Sequence, residues 1–144
     1  MTRVNPLIAR DPRLHGMAGP DRLRTRVKPL AVGISERDFQ NIIVELAGWC
    51  GWLISHQRAS IVRRGKDGAP DQWATATQGH TGFPDLVLVH EQRGLCLFRE
   101  LKVGANQLQQ PQKAWGAALK AAGADWAVWR ETEWLVTVAP TLIG

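Results

Sequence analysis

The sequence is short of cysteine, of histidine and of long apolar runs, and each shortage excludes something. Two cysteines, Cys50 and Cys96, cannot staple a disulfide-rich scaffold or build a multi-cysteine zinc module. Both sit in apolar segments, as buried thiols of a reducing cytoplasm would. Four histidines, His15, His56, His80 and His90, are too scattered to form a ligand set. No uninterrupted apolar run reaches the roughly 18 residues of a membrane-spanning helix. The N-terminal arginines are not followed by the roughly 7–15-residue apolar stretch of a secretory signal. There is no internal repeat and no low-complexity tract. What is present is a chain of 144 residues, 44% hydrophobic and 22% charged, long enough for one domain around one core.

Charge is unevenly placed. Residues 1–34 carry seven basic and two acidic groups, while residues 35–144 carry eleven of each. The whole net charge of +5 therefore belongs to the first segment. That segment holds Pro6, Pro12, Pro20 and Pro29 and shows no apolar period, so it reads as a largely irregular arm. It is either a solubilising arm or one whose Arg22, Arg24, Arg26 and Lys28 follow a phosphate backbone.

The folded part, residues 35–144, begins at a capping box, Ser35-Glu36-Arg37-Asp38. Phe39, Ile42, Ile43, Leu46, Ala47 and Cys50 then recur at helical spacing, predicting a helix over 35–50. Residues 52–56 read as a short strand. Residues 57–82 are a long polar stretch with Arg58, Arg63, Arg64 and Lys66, and Ile61-Val62 leaves room for a strand within it. A loop of this length is usually functional. The runs Asp85–His90 and Leu95–Lys102, split by Gln92-Arg93-Gly94, predict a hairpin with both faces buried. Pro111 suits the first turn of a second helix whose apolar face is Trp115, Ala118, Leu119 and Ala122. Asp125–Arg130 reads as a strand. In 133–142 the β-branched residues favour a strand, and Pro140 interrupts any long helix. The order predicts an α/β fold: a mixed β-sheet flanked by α-helices.

The chemistry concentrates on the hairpin. Glu100 and Lys102 are two apart on a strand and share a face. A turn of residues 91–94 sets Asp85 opposite Glu100, and a turn of only Arg93-Gly94 sets it opposite Lys102. Either register gathers two carboxylates and an ammonium at one strand end. Close carboxylates in an apolar setting repel. A divalent cation relieves this, and Mg²⁺ takes carboxylate and carbonyl oxygens, so the Leu101 backbone carbonyl is a third candidate ligand. The competing reading is a structural Glu–Lys pair, with Asp85 capping a turn.

Gly82-Phe83-Pro84-Asp85-Leu86, Glu100-Leu101-Lys102, Leu108, Gln112 and Trp115 together resemble the PD-(D/E)XK nucleases. The likeness is closest to the virus-type replication-repair nuclease domain, VRR-NUC, and covers about residues 35–135. It implies a restriction-endonuclease-like sheet and Mg²⁺- or Mn²⁺-dependent hydrolysis of DNA phosphodiesters. In that likeness Asp85 and Glu100 are metal ligands and Lys102 is the catalytic lysine. Glu36 is the first-helix acid, with Glu45 the fallback, and Gln112 contacts the metal-bound water or the phosphate. Small members resemble Holliday-junction resolvases that act as homodimers, which implies branched DNA as substrate and a phage or bacterial cytoplasmic setting. Flaps, ends or duplex DNA are the alternative substrates. A junction-binding module without turnover is the alternative function. His80, just before the Pro-Asp pair, is either a phosphate contact or a plain loop residue. Of seven tryptophans, Trp49, Trp52, Trp115, Trp126 and Trp129 read as core or dimer interface. Trp73 lies in the basic stretch, where it either stacks on unpaired bases or packs beneath the loop.

Overall fold

A computed structural model of the protein describes residues 20–57, 60–74 and 79–144, and for 60–63 and 72–74 the backbone alone. In chain order the elements are α1 (Pro20–Arg26), α2 (Glu36–Trp49), β1 (Leu53–His56), β2 (Ser60–Arg63), β3 (Gln72–Ala74), β4 (Leu86–His90), β5 (Leu95–Lys102), α3 (Gln110–Ala121) and β6 (Asp125–Arg130). A 3₁₀ turn (Glu131–Glu133), a π-helical turn (Trp134–Val138) and α4 (Ala139–Ile143) follow. The main sheet has the order β1-β4-β5-β6, with β5 and β6 parallel and the other neighbours antiparallel. β2 and β3 form a separate antiparallel pair. The expected α/β fold with a mixed sheet is what forms.

One face of the sheet is the core. Leu86, Leu88, Leu97, Leu101 and Trp129 are buried there with Phe39, Ile43, Leu46 and Ala47 of α2 and with Val138, Ala139 and Leu142. Each such leucine, isoleucine, valine or phenylalanine contributes about 1.5–3 kcal/mol by leaving water. α2 starts where the capping pattern puts it. Ser35 Oγ accepts from the Asp38 N–H at 3.0 Å, and its hydroxyl donates to Asp38 Oδ2 at 2.9 Å. The acid thus meets the serine hydroxyl rather than its backbone.

Several expectations are corrected. The first segment is not irregular throughout, because Pro20–Arg26 is helical. Leu23, Val27, Leu30 and Ile34 pack on the core, and Trp134 Nε1 donates to the Lys28 carbonyl at 2.9 Å. The C-terminal stretch is helical, not a strand, since Trp134, Val138 and Leu142 at i, i+4 and i+8 turn one face inward. Pro140 starts α4 rather than interrupting it. β3 places Trp73 on a strand where a loop was expected. Only Gly116 of α3 is buried, while Ala118 and Ala122 are exposed. Cys96 is exposed; Cys50 is partly buried, and burial pushes its thiol up to about 11. Among the described residues no helix is long and apolar enough to cross a membrane.

Candidate active site

The site lies at the C-terminal end of β5, on the face opposite the core. Leu86 pairs with Arg99 and His90 with Leu95, around a turn closed by Gly94 N–H donating to the Glu91 carbonyl at 3.1 Å. Continuing that register sets Asp85 opposite Glu100, which decides between the two hairpins the sequence allowed. The next pair is Pro84 and Leu101. Proline has no N–H to give the Leu101 carbonyl. The Leu101 N–H donates instead to Asp85 Oδ2 at 2.8 Å. N–H and carbonyl of one strand residue project to the same side, so the Leu101 carbonyl faces Asp85 without its ladder donor.

Glu100 and Lys102 are buried, at 1% and 7% exposure. Lys102 Nζ stands 3.6 Å from Glu100 Oε1. The same oxygen accepts from Gln112 Nε2 at 2.7 Å. Gln112 Oε1 accepts from the Gln109 N–H at 2.9 Å, so the side chain that touches Glu100 also caps α3. Burial pushes the Glu100 carboxyl up to about 8, with the charge of Asp85 and a hydrogen bond to it adding, and Lys102 opposing. Glu36, at the first position of α2, is also raised, chiefly by burial, with Lys102 opposing and Asp85 adding. Its charge is felt at the site and feels the site in turn. Glu45 instead lines an apolar cavity of about 320 Å³ between α2 and residues 23–34.

The structure therefore brings Glu36, Asp85, Glu100, Leu101, Lys102 and Gln112 together. No contact ties the cations expected to meet DNA to these acids among the described residues. Arg22, Arg24, Arg26 and Lys28 are exposed on or beside α1, and Arg24 is held by Asp21 and the Gly144 carbonyl. Arg64 pairs with Asp71 at 3.6 Å, and Lys66 and His80 are exposed. Arg63 and Trp73 lie on β2 and β3 with their side chains outside the described residues, as is the whole of Arg58. Two residues support the site: Phe83, which the sequence offered only as part of the motif, and Glu131, which it did not single out. Phe83 packs edge-on against Phe98 and Trp115, at 6.3 and 5.1 Å between ring centroids, fixing the Gly-Phe-Pro-Asp segment between α3 and β5. Glu131 accepts from the Gly104 N–H at 2.8 Å, tying down the turn after Lys102. An aromatic beside Pro-Asp and an acid just past β6 were the available signals.

The family model of the VRR-NUC domain matches residues 36–132. The chain belongs to the VRR-NUC family. This VRR-NUC domain is accordingly a nuclease domain of the PD-(D/E)XK type, for which DNA is the implied substrate. Comparison with curated proteins and with solved structures finds no match. Domains of this type typically use divalent metals, and the donor chemistry of the site fits one. Asp85, Glu100 and the Leu101 carbonyl are hard oxygen donors, and the raised Glu100 carboxyl is one whose charge a cation would relieve. Among the described residues no three His, Cys, Asp or Glu side chains cluster closely enough to hold a metal by themselves. A pair of acids, one carbonyl and water suit Mg²⁺, which keeps several waters.

Proposed function

We propose that the domain is a Mg²⁺- or Mn²⁺-dependent endonuclease that hydrolyses phosphodiester bonds in branched DNA, four-way junctions included. One observation carries the reading: Asp85, one residue before β4, accepts from the Leu101 N–H at 2.8 Å beside Glu100, and Lys102 Nζ stands 3.6 Å from Glu100. The Asp85 and Glu100 carboxylates and the Leu101 carbonyl hold the cation, which supplies an activated water and charge neutralisation at the phosphate. Lys102 offsets charge that develops on the phosphate oxygens. Gln112 orients Glu100 and contacts the attacking water or the phosphate, and Glu36 completes the acidic rim. Arg22, Arg24, Arg26, Lys28, Arg58, Arg63, Arg64, Lys66 and His80 meet the phosphate backbone, with Trp73 stacking on unpaired bases. Phosphate contacts carry no base sequence, so selection falls to DNA shape. Paired cuts across a four-way junction need two sites related by a twofold axis, hence a homodimer.

The test is cleavage of a labelled four-way junction beside a flap and a linear duplex, with Mg²⁺, Mn²⁺ or EDTA. Wild type should make paired symmetric cuts with metal only. Glu100→Ala should lose cutting by about 10²–10³-fold or more, as when a main stabiliser of developing charge is removed. Cutting spread over flap and duplex would remove the junction preference and leave the chemistry. Junction binding without cutting under any metal would identify a binding module.

A further inference from the structure

Beside the acids lies a second cavity, of about 460 Å³, lined by His80, Thr81, Pro111, Ala114, Trp115 and Ala118. Four of these, at 111, 114, 115 and 118, form one stripe of α3 at helical spacing. The stripe is almost wholly apolar, yet among the described residues nothing fills it. The neighbouring stripe is turned inward. Gly116 sits so close to Trp126 that a Cβ would lie 2.6 Å from its ring, and Gln112 reaches Glu100.

The cavity is built rather than incidental. Trp115 Nε1 donates to the Thr81 carbonyl at 3.1 Å, and its ring is braced edge-on by Phe83. Gly82 has φ +94°, and a Cβ there would lie 2.4 Å from the Pro111 carbonyl carbon. Only glycine permits this approach, which holds the 80–82 segment and the first turn of α3 as opposite walls. Pro111 is a wall, and Gln112, on the next Cα about 3.8 Å away, touches Glu100. The first turn of α3 therefore borders both the cavity and Glu100.

Resting on the nuclease reading above, we propose that this cavity receives an unpaired nucleobase of the DNA, the one next to the phosphate at Glu100. Its chemistry fits that occupant. A base offers a flat π-face to an indole flanked by alanines, and a polar edge to Thr81. Stacking of this kind tolerates any base, which suits an enzyme selecting branch points by shape. Fully paired duplex keeps its bases stacked and leaves the cavity empty.

The test uses 2-aminopurine placed at successive positions of a flap or four-way junction, with binding read by fluorescence and anisotropy in Ca²⁺ or EDTA. One position next to the cut site should change its emission on binding wild type. That change should vanish in Ala118→Leu and in Ala114→Leu. Both fill the cavity from exposed helix positions, and circular dichroism and melting should match wild type. Removing the base at that position should weaken wild-type binding by roughly tenfold or more, the range of base–aromatic stacking, and leave Ala118→Leu unaffected. A flat scan, or equal sensitivity in wild type and both variants, overturns the proposal. A wild type that binds with this signature but cuts nothing refutes the nuclease reading and retains the cavity assignment. A wild type that cuts with a flat scan does the reverse. If Ala118→Leu instead changes only the sedimentation of the free protein, the stripe is a surface for a second copy.

Discussion

The two faces of β5 share one strand and do opposite work. Leu97 and Leu101 point into the core beneath α2 and the C-terminal helices. Phe98, Glu100 and Lys102 point the other way, toward α3. The core face is closed over Leu86, Leu88, Leu97 and Leu101. The site face is covered by α3 at one end and opens at the other, where Leu53 is 66% exposed and Cys96 is exposed. Burial thus serves two purposes in adjacent residues. On the core face it removes apolar surface from water. On the site face it takes Glu100 out of water, which raises the energy of its charged form.

Separating the faces by mutation tests this division, and the largest effect belongs to the core. Leu88 is fully buried on the core face. Leu88→Ala should cost about 2–5 kcal/mol in denaturant unfolding, while cutting per folded molecule stays near wild type. If activity and stability fall together, the faces are not independent. The next effect belongs to the site face. Glu100 titrates at about 8 in the fold against an ordinary 4.5. The fold therefore binds this proton more tightly than the unfolded chain does. Its contribution to stability is complete below pH 4.5 and is lost as pH rises through about 8. Without divalent ions the melting temperature should fall across that window, by on the order of ten degrees. Glu100→Gln should flatten the fall, and Mg²⁺ should offset it by replacing the proton. A slope that survives in Glu100→Gln would assign the titration to another group.

Much of this was legible before any coordinates, for reasons that lie in particular residues. The β4–β5 hairpin announces itself through two apolar runs around a glycine turn, and Ser35 announces α2. The register was legible only as two choices, because the turn length that separates them depends on Glu91 joining Gly94. α1 was hidden by the prolines around it, and of the apolar residues that pack on the core from this segment only Leu23 lies within it. The C-terminal stretch was hidden by Val136 and Thr137, whose strand preference is overridden once Trp134, Val138 and Leu142 find the core. The face of α3 misled for the reverse reason. Its alanines have the right spacing for a core and the structure leaves them outside it, beside the cavity.

Arg99 is the residue that fits neither face, and it gives the smallest expected effect. It lies on the core side of β5, 5% exposed, between Glu100 and Phe98 in sequence. Its Nη2 pairs with Asp125 Oδ1 at 2.9 Å, its Nη1 donates to the Asp125 and Phe98 carbonyls at 2.7 and 3.0 Å, and its guanidinium stands 5.1 Å from the Trp129 ring centroid. Nε is buried without a partner, and burial lowers the pKa of the guanidinium against the pull of Asp125. A buried ion pair of this kind often gains little over a hydrophobic side chain of similar volume. Here the loss on removal is smaller still, because the Asp125 side chain is 57% exposed and returns to water. Arg99→Met should therefore leave stability within about 1 kcal/mol of wild type, whereas Arg99→Ala, which opens a hole against Trp129, should cost more. The two substitutions remove the same charge, so their difference measures packing alone. If Arg99→Met costs as much as Arg99→Ala, the guanidinium is required to hold the start of β6 on β5. The parallel register that carries Glu100 and Lys102 to the site would then depend on Arg99.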